Sequence, residues 1–251
     1  MKRLAARSVV IGILLFLEVA VASATDRDRR LTLEAIFSPD PDQRIEFGGE
    51  PVTGLEWLAD GQAYLQPQST AESLAAPLRV DLASGRHEAL FDAAHLLATL
   101  GEMEGVSTEG VGDLEAGDLR LSPSQDALLI HHDDDLFHYA LGTGTARRLT
   151  RNVEIEEVAG FSPDGSAVAF VRQNDLHVVR IDNGRETALT RQGSPALLNG
   201  KLDWVYQEEL YGRGDFKGYW WSPDSRHLAY LQLDESAVHE FTLIDHLPTR
   251  G

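Results

Sequence analysis

Cysteine is absent from the 251 residues, which excludes disulfides, thiolate metal sites and a cysteine nucleophile. Basic residues are scarce: 22 Lys and Arg stand against 40 Asp and Glu, a formal charge of -18. A surface of that sign repels phosphate backbones, so nucleic acid is not an expected partner. There is no glycine-rich phosphate cradle, because Gly110-Val111-Gly112-Asp113 lacks the lysine and the third glycine that such a loop needs. A Gly-x-Ser-x-Gly nucleophile elbow is missing too. The nearest pentapeptide, Gly105-Val106-Ser107-Thr108-Glu109, ends in an acid.

What is present begins at the N-terminus. Lys2, Arg3 and Arg7 form a basic region, and residues 8–21 are mostly apolar, with Glu18 as the one intruding charge. Ala22-Ser23-Ala24 then supplies a small-x-small cleavage pattern before the polar Thr25-Asp26-Arg27-Asp28. This order predicts a secretory signal peptide over 1–24 and a periplasmic or secreted chain over 25–251. The apolar run is shorter than the roughly 20 residues of a membrane span. An uncleaved N-terminal anchor is the alternative.

The rest of the chain repeats itself. Leu121-Ser122-Pro123, Phe161-Ser162-Pro163 and Trp221-Ser222-Pro223 are three copies of one turn, and Trp57-Leu58-Ala59-Asp60-Gly61 is a degenerate fourth. Apolar strand runs follow at 63–65, 127–130, 168–171 and 228–231. Proline fixes φ and Asp-Gly turns the chain, so each copy reads as a tight turn feeding a strand. A second turn signal lies about 20 residues on in three copies, at 81–85, 141–144 and 181–184, a spacing that fits one strand pair per half blade. The last two copies end alike, in Arg148-Leu149-Thr150 and Ala188-Leu189-Thr190.

Ser122 and Ser162 are about 40 residues apart, the length of one four-stranded propeller blade. The other two intervals are about 20 residues longer, a blade plus an insertion. One insertion falls in 91–117, with a helical stretch over 92–100 and then a Gly- and acid-rich loop. The predicted fold is therefore all-β: a partial β-propeller of about three to four four-stranded blades with a short helical insertion. So few blades do not close a propeller, which predicts that this chain is the head of a longer protein or a truncated product.

The other insertion carries the chemistry. Residues 201–211, Lys-Leu-Asp-Trp-Val-Tyr-Gln-Glu-Glu-Leu-Tyr, contain no Gly or Pro. Asp203 is placed as a helix N-cap, and in an α-helix Trp204, Glu208 and Tyr211 would share one face. Glu208 and Glu209 are the candidate substrate-binding residues. An α-ammonium carries three N–H donors, and two carboxylates supply the acceptors. Residue types alone leave open the alternative of a solvated surface pair beside structural aromatics. His131-His132-Asp133-Asp134-Asp135 contains metal-ligand types, but adjacent side chains on a strand alternate faces, so an acidic hairpin turn is expected instead.

The stretch Asp203-Trp204-Val205-Tyr206-Gln207-Glu208-Glu209-Leu210 resembles the Asp-Trp-Val-Tyr-Glu-Glu-Glu signature of the dipeptidyl peptidase IV family. Tyr219-Trp220-Trp221-Ser222-Pro223-Asp224 and Leu228-Ala229-Tyr230 continue the pattern, as does the stretch from Phe161 to Val178. The resemblance covers about residues 118–240 and is weaker before them. It implies a propeller that anchors peptide substrates by their free N-terminus, with the last two acids of the signature, Glu208 and Glu209, as the anchor. Gln207 replaces the family's first acid. It also implies a serine-type exopeptidase releasing N-terminal dipeptides, with an α/β-hydrolase domain following the propeller. No arginine here matches the family's substrate-contacting one, so none is assigned.

The expected partners are a peptide with a free N-terminus, the hydrolase domain and, as a further candidate, a second copy in a homodimer. No catalytic residue, metal ligand or cofactor is assigned within this chain. The rival readings are a non-enzymatic periplasmic binding propeller and a truncated relic.

Overall fold

The computed structural model describes residues 32–40, 44, 54–68, 74–211 and 215–239. Residues 1–24, the expected signal peptide, lie outside them. Two units are distinguished, residues 1–51 and 52–251. In the first, Leu33–Phe37 forms a short helix, α1. Among the described residues no helix is long and apolar enough to cross a membrane.

The second unit holds three four-stranded antiparallel meanders. The first blade is β1 (Glu56–Trp57), β2 (Ala63–Gln66), β3 (Leu78–Asp81) and β4 (His87–Ala89). Blade two is β5 (Leu119–Leu121), β6 (Ala127–His132), β7 (Asp135–Ala140) and β8 (Thr145–Arg148). Blade three is β9 (Glu157–Phe161), β10 (Ala167–Arg172), β11 (Asp175–Arg180) and β12 (Glu186–Ala188). Beyond it, β13 (Leu197–Asn199) pairs with β16 (Gln232–Asp234), and β14 (Tyr219–Trp221) pairs with β15 (Leu228–Tyr230). The β14–β15 hairpin is the expected opening of a fourth blade. The β13–β16 ribbon is not foreshadowed by the repeats.

The repeated turns have one cause. In each, the serine N–H donates to the carbonyl at the head of the next strand, as from Ser122 to Ala127, Ser162 to Ala167 and Ser222 to His227, all at 2.8 Å. The serine Oγ accepts the return N–H at 3.1, 3.0 and 3.0 Å. Gln125, Gly165 and Ser225 take the left-handed position of their turns. Serine hydroxyls also donate to Asp126, Asp164 and Asp224. These hydroxyls, together with turn N–H groups, hold the three carboxyls below the usual carboxylate range.

A depressed folded-state value contributes stability above the unfolded carboxyl range, near pH 4, that is lost as pH falls through it. The melting temperature of Asp164→Asn with Asp224→Asn is therefore expected to fall less than that of the parent between pH 4 and pH 2. Parallel curves in a thermal scan would contradict this assignment.

The second turn class is equally local. Asp133-Asp134 and Gln173-Asn174 each place two consecutive residues at positive φ, the conformation of a two-residue hairpin. The acidic run at 131–135 is thus the β6–β7 turn, with His132 opposite Asp135. Among the described residues no three potential metal ligands gather.

Packing explains the hydrophobic pattern. In β10, Val168 and Phe170 face Leu129, Leu136 and Leu149 of blade two, while Ala169 and Val171 face Leu176 and Tyr219. A strand sandwiched on both faces reads as a continuous apolar run. The helix predicted in the first insertion is α2 (Ala93–Gly101), capped by Asp92, whose carboxylate accepts from the His95 N–H at 3.0 Å. It buries Leu96 and Leu100 in a cluster with Ile130, Phe137 and Tyr139. The loop after it ends in a 3-10 turn at Ala116–Asp118 and, before that, contains a short helix, α3 (Thr108–Gly112). Ser107 caps it by accepting from the Gly110 N–H, so this serine is structural.

The Leu-Thr endings close blades two and three. Leu149 and Leu189 donate to the carbonyls of Leu136 and Leu176 at 2.7 and 2.8 Å. The Thr150 and Thr190 hydroxyls accept the N–H groups of the same two leucines at 2.8 and 2.9 Å. Asp135 and Asp175, each one residue earlier, anchor the following loops through the N–H groups of Asn152, Gln192 and Gly193.

Candidate functional site

The second insertion stands on a two-legged stem. Lys201 bridges Lys217 as an antiparallel pair, Leu202 N–H donates to Phe216 O at 2.7 Å, and Gly218 N–H donates to Gly200 O at 2.9 Å. The legs are tight: a Cβ on Gly218 would lie 3.1 Å from the backbone of Gly200 and Lys201, and Gly200 has φ of +75°. Lys201 pairs with Glu157 on β9. Lys217 lies over the Tyr219 ring, 4.7 Å from its centroid, and burial lowers its affinity for a proton. Tyr219 itself is fully buried, its hydroxyl 2.6 Å from Val158 O and 2.7 Å from Ala169 O. Burial raises that phenol well above its ordinary range.

Asp203 starts the turn as expected, its carboxylate accepting the Tyr206 N–H at 2.6 Å. After Trp204 and Val205 the expected α-helix gives way to a π-helical turn over Tyr206–Leu210. Its signature is the bond from Tyr211 N–H to Tyr206 O at 2.9 Å, an i→i+5 closure. The extra residue in the turn changes which side chains align. The four- and three-residue spacing behind the expected Trp204, Glu208 and Tyr211 face thus gives way to a five-residue closure, with all three side chains exposed. Tyr206 and Tyr211, five apart, meet with ring centroids 6.3 Å apart.

Glu208 and Glu209, consecutive in the turn, are both exposed to solvent, as are Leu210 and Tyr211. Gln207 alone of this group turns inward, with 5% of its surface exposed. Its Nε2 donates to Glu208 Oε2 at 3.1 Å. In the sequence Gln207 stands out only as a lost charge; its inward orientation belongs to the π-turn. At the foot of the turn lies a groove of about 640 Å³, lined in part by Trp204, Val205, Phe216, Asp203 and Glu235. Burial, and then the Asp203 carboxyl beside it, raises the Glu235 carboxyl above the ordinary value.

The family described as dipeptidyl peptidase IV (DPP IV) N-terminal region matches residues 122–250, which include the whole acidic turn and its stem. The chain belongs to this family. Two curated relatives match over 87 residues, 35% of this chain. One is a probable dipeptidyl peptidase 4 of Aspergillus flavus, 44% identical over 11% of its length. The other is a probable dipeptidyl-aminopeptidase B of Talaromyces stipitatus, 40% identical over 9% of its length. The aligned part is thus about a tenth of these relatives.

Among solved structures, dipeptidyl peptidase 4 of Porphyromonas gingivalis superposes with a TM-score of 0.57 at 26% identity, covering 75% of this chain and 26% of that one. A dipeptidyl aminopeptidase IV homologue of Bacteroides ovatus gives 0.53 at 18% identity, covering 78% and 24%, a likeness of fold. As a member of the DPP IV N-terminal region family, the chain has the expected propeller sheets with the acid-bearing insertion between the third and fourth.

Proposed function

We propose that this chain is the substrate-anchoring part of a secreted or periplasmic dipeptidyl peptidase IV-like serine exopeptidase. Glu208 and Glu209 bind the α-ammonium of a peptide and so set the distance from the N-terminus to the scissile bond. The bond is cut by an α/β-hydrolase domain outside this sequence. The observation that carries the reading is the exposure of two consecutive carboxylates on a turn that follows the paired Lys201–Lys217 stem, within the stretch matched by the family. An ammonium needs more than one acceptor for its three N–H groups, and adjacent acids offer up to four oxygens.

Residues 25–251 are expected to bind Ala-Pro amide and to ignore its N-acetylated form, as read by isothermal titration. Equal heats from the two would contradict amine anchoring. The same preparation is expected to leave a chromogenic Gly-Pro substrate intact. Turnover abolished by a serine-hydrolase inhibitor would contradict the assignment of catalysis to another domain.

A further inference from the structure

Gln207 is an uneconomical residue for the fold. Its amide is almost wholly buried, yet Oε1 finds no donor among the described residues. A buried polar atom left unpaired is destabilising, and an apolar side chain of similar shape would avoid that cost. The one hydrogen bond the amide makes runs from Nε2 to the Glu208 carboxylate. That bond settles which end of the amide is nitrogen, because the reversed amide would aim a carbonyl oxygen at a carboxylate. Among the described residues the hydrogen bonding of the side chain is therefore directed at Glu208.

We propose that Gln207 is the positioning residue of the amine receptor. Its N–H fixes one oxygen of Glu208, holding that carboxylate oriented toward the incoming ammonium while leaving the other oxygen free. The inference rests on the amine-anchoring reading above and adds a specific chemical requirement: position 207 must present a donor to Glu208. An ionised glutamate there has no donor and repels Glu208. A protonated one donates as glutamine does. Buried at this position, such an acid holds its proton above the ordinary glutamate range. The substitution of Gln for the family's first acid thus frees the donor of the orienting bond from titration.

Two variants test this, both read by titration of Ala-Pro amide and N-acetyl-Ala-Pro amide into the chain. Gln207→Met removes the donor and the orphaned carbonyl together. It is expected to weaken amide binding by about tenfold, the worth of a hydrogen bond to a charged group, and to melt at or above the parent temperature. Gln207→Glu is expected to match the parent near pH 5 and to fall behind it as pH rises to 7.5. Asp203, Tyr206, Glu208, Glu209 and Tyr211 of the turn, Lys201, Asp215 and Lys217 of its stem, and the neighbouring Glu157 and Glu235 are common to both proteins, so the ratio of affinities isolates position 207.

Parent-like binding by Gln207→Met, or a melting temperature well below the parent, would overturn the positioning role while leaving amine anchoring intact. Where Gln207→Met does not fold, a flat affinity ratio for Gln207→Glu across that pH range overturns it equally. If the parent itself binds the acetylated compound as well as the free amine, the anchoring reading fails and takes this one with it.

Discussion

Removing both charges of the receptor, Glu208→Gln with Glu209→Gln, is expected to lower affinity for Ala-Pro amide by roughly a hundredfold, about tenfold for each charge-assisted bond. The substitutions keep size and keep one acceptor oxygen per side chain, so what they remove is the attraction between carboxylate and ammonium. Both side chains are solvent-exposed, so folding does not depend on them and the melting temperature should not move. Binding by the unmodified chain should also weaken as salt is added, because exposed charges are screened over about 10 Å at 0.1 M ionic strength. The double variant should lose that salt dependence. A double variant that binds the free amine as tightly as the parent would remove Glu208 and Glu209 from the site.

The largest stability effect is expected at Asp135→Ala, about 3–5 kcal/mol, the cost of stranding a buried charge. Asp135 is fully buried and Arg148 partly so; the guanidinium reaches the carboxylate through both Nε and a terminal nitrogen. The other carboxylate oxygen takes the Asn152 N–H at 3.1 Å. Alanine would leave Arg148 with backbone acceptors only, Thr150 O and Glu104 O. For a chain of this size the loss corresponds to a fall in melting temperature of roughly 10 °C. Equilibrium unfolding in urea measures it, and a loss below about 1 kcal/mol would show that the pair does not act as a buried ion pair.

Much of this architecture is written in short-range chemistry. The Ser-Pro turns could be read directly because each closes over five residues, with serine serving as both donor and acceptor to the same strand head. Two-residue turns such as Asp133-Asp134 are local in the same sense. The recurring Leu-Thr pairs were visible as a pattern, but their cause lies across the sheet, where Thr150 and Thr190 meet residues 14 positions earlier. The β13–β16 ribbon joins residues more than 30 apart, Leu198 with Leu233 for example, and no periodicity announces it.

At the site, the exposure of Glu208 and Glu209 agrees with the pattern of the insertion. The π-turn does not follow from it, since α-helical spacing suits residues 203–211 equally well. The wider turn goes together with the meeting of Tyr206 and Tyr211 and the inward rotation of Gln207, neither of which residue spacing announces. The orienting bond to Glu208 was hidden for that reason.

Amine anchoring by the acidic pair can be observed at the two side chains themselves. With ¹³C-labelled glutamate in the chain, the carboxyl resonances of Glu208 and Glu209, assigned by single substitution, should shift on addition of Ala-Pro amide and stay in place on addition of its N-acetylated form. Binding of the free amine with those two resonances unmoved would contradict the account.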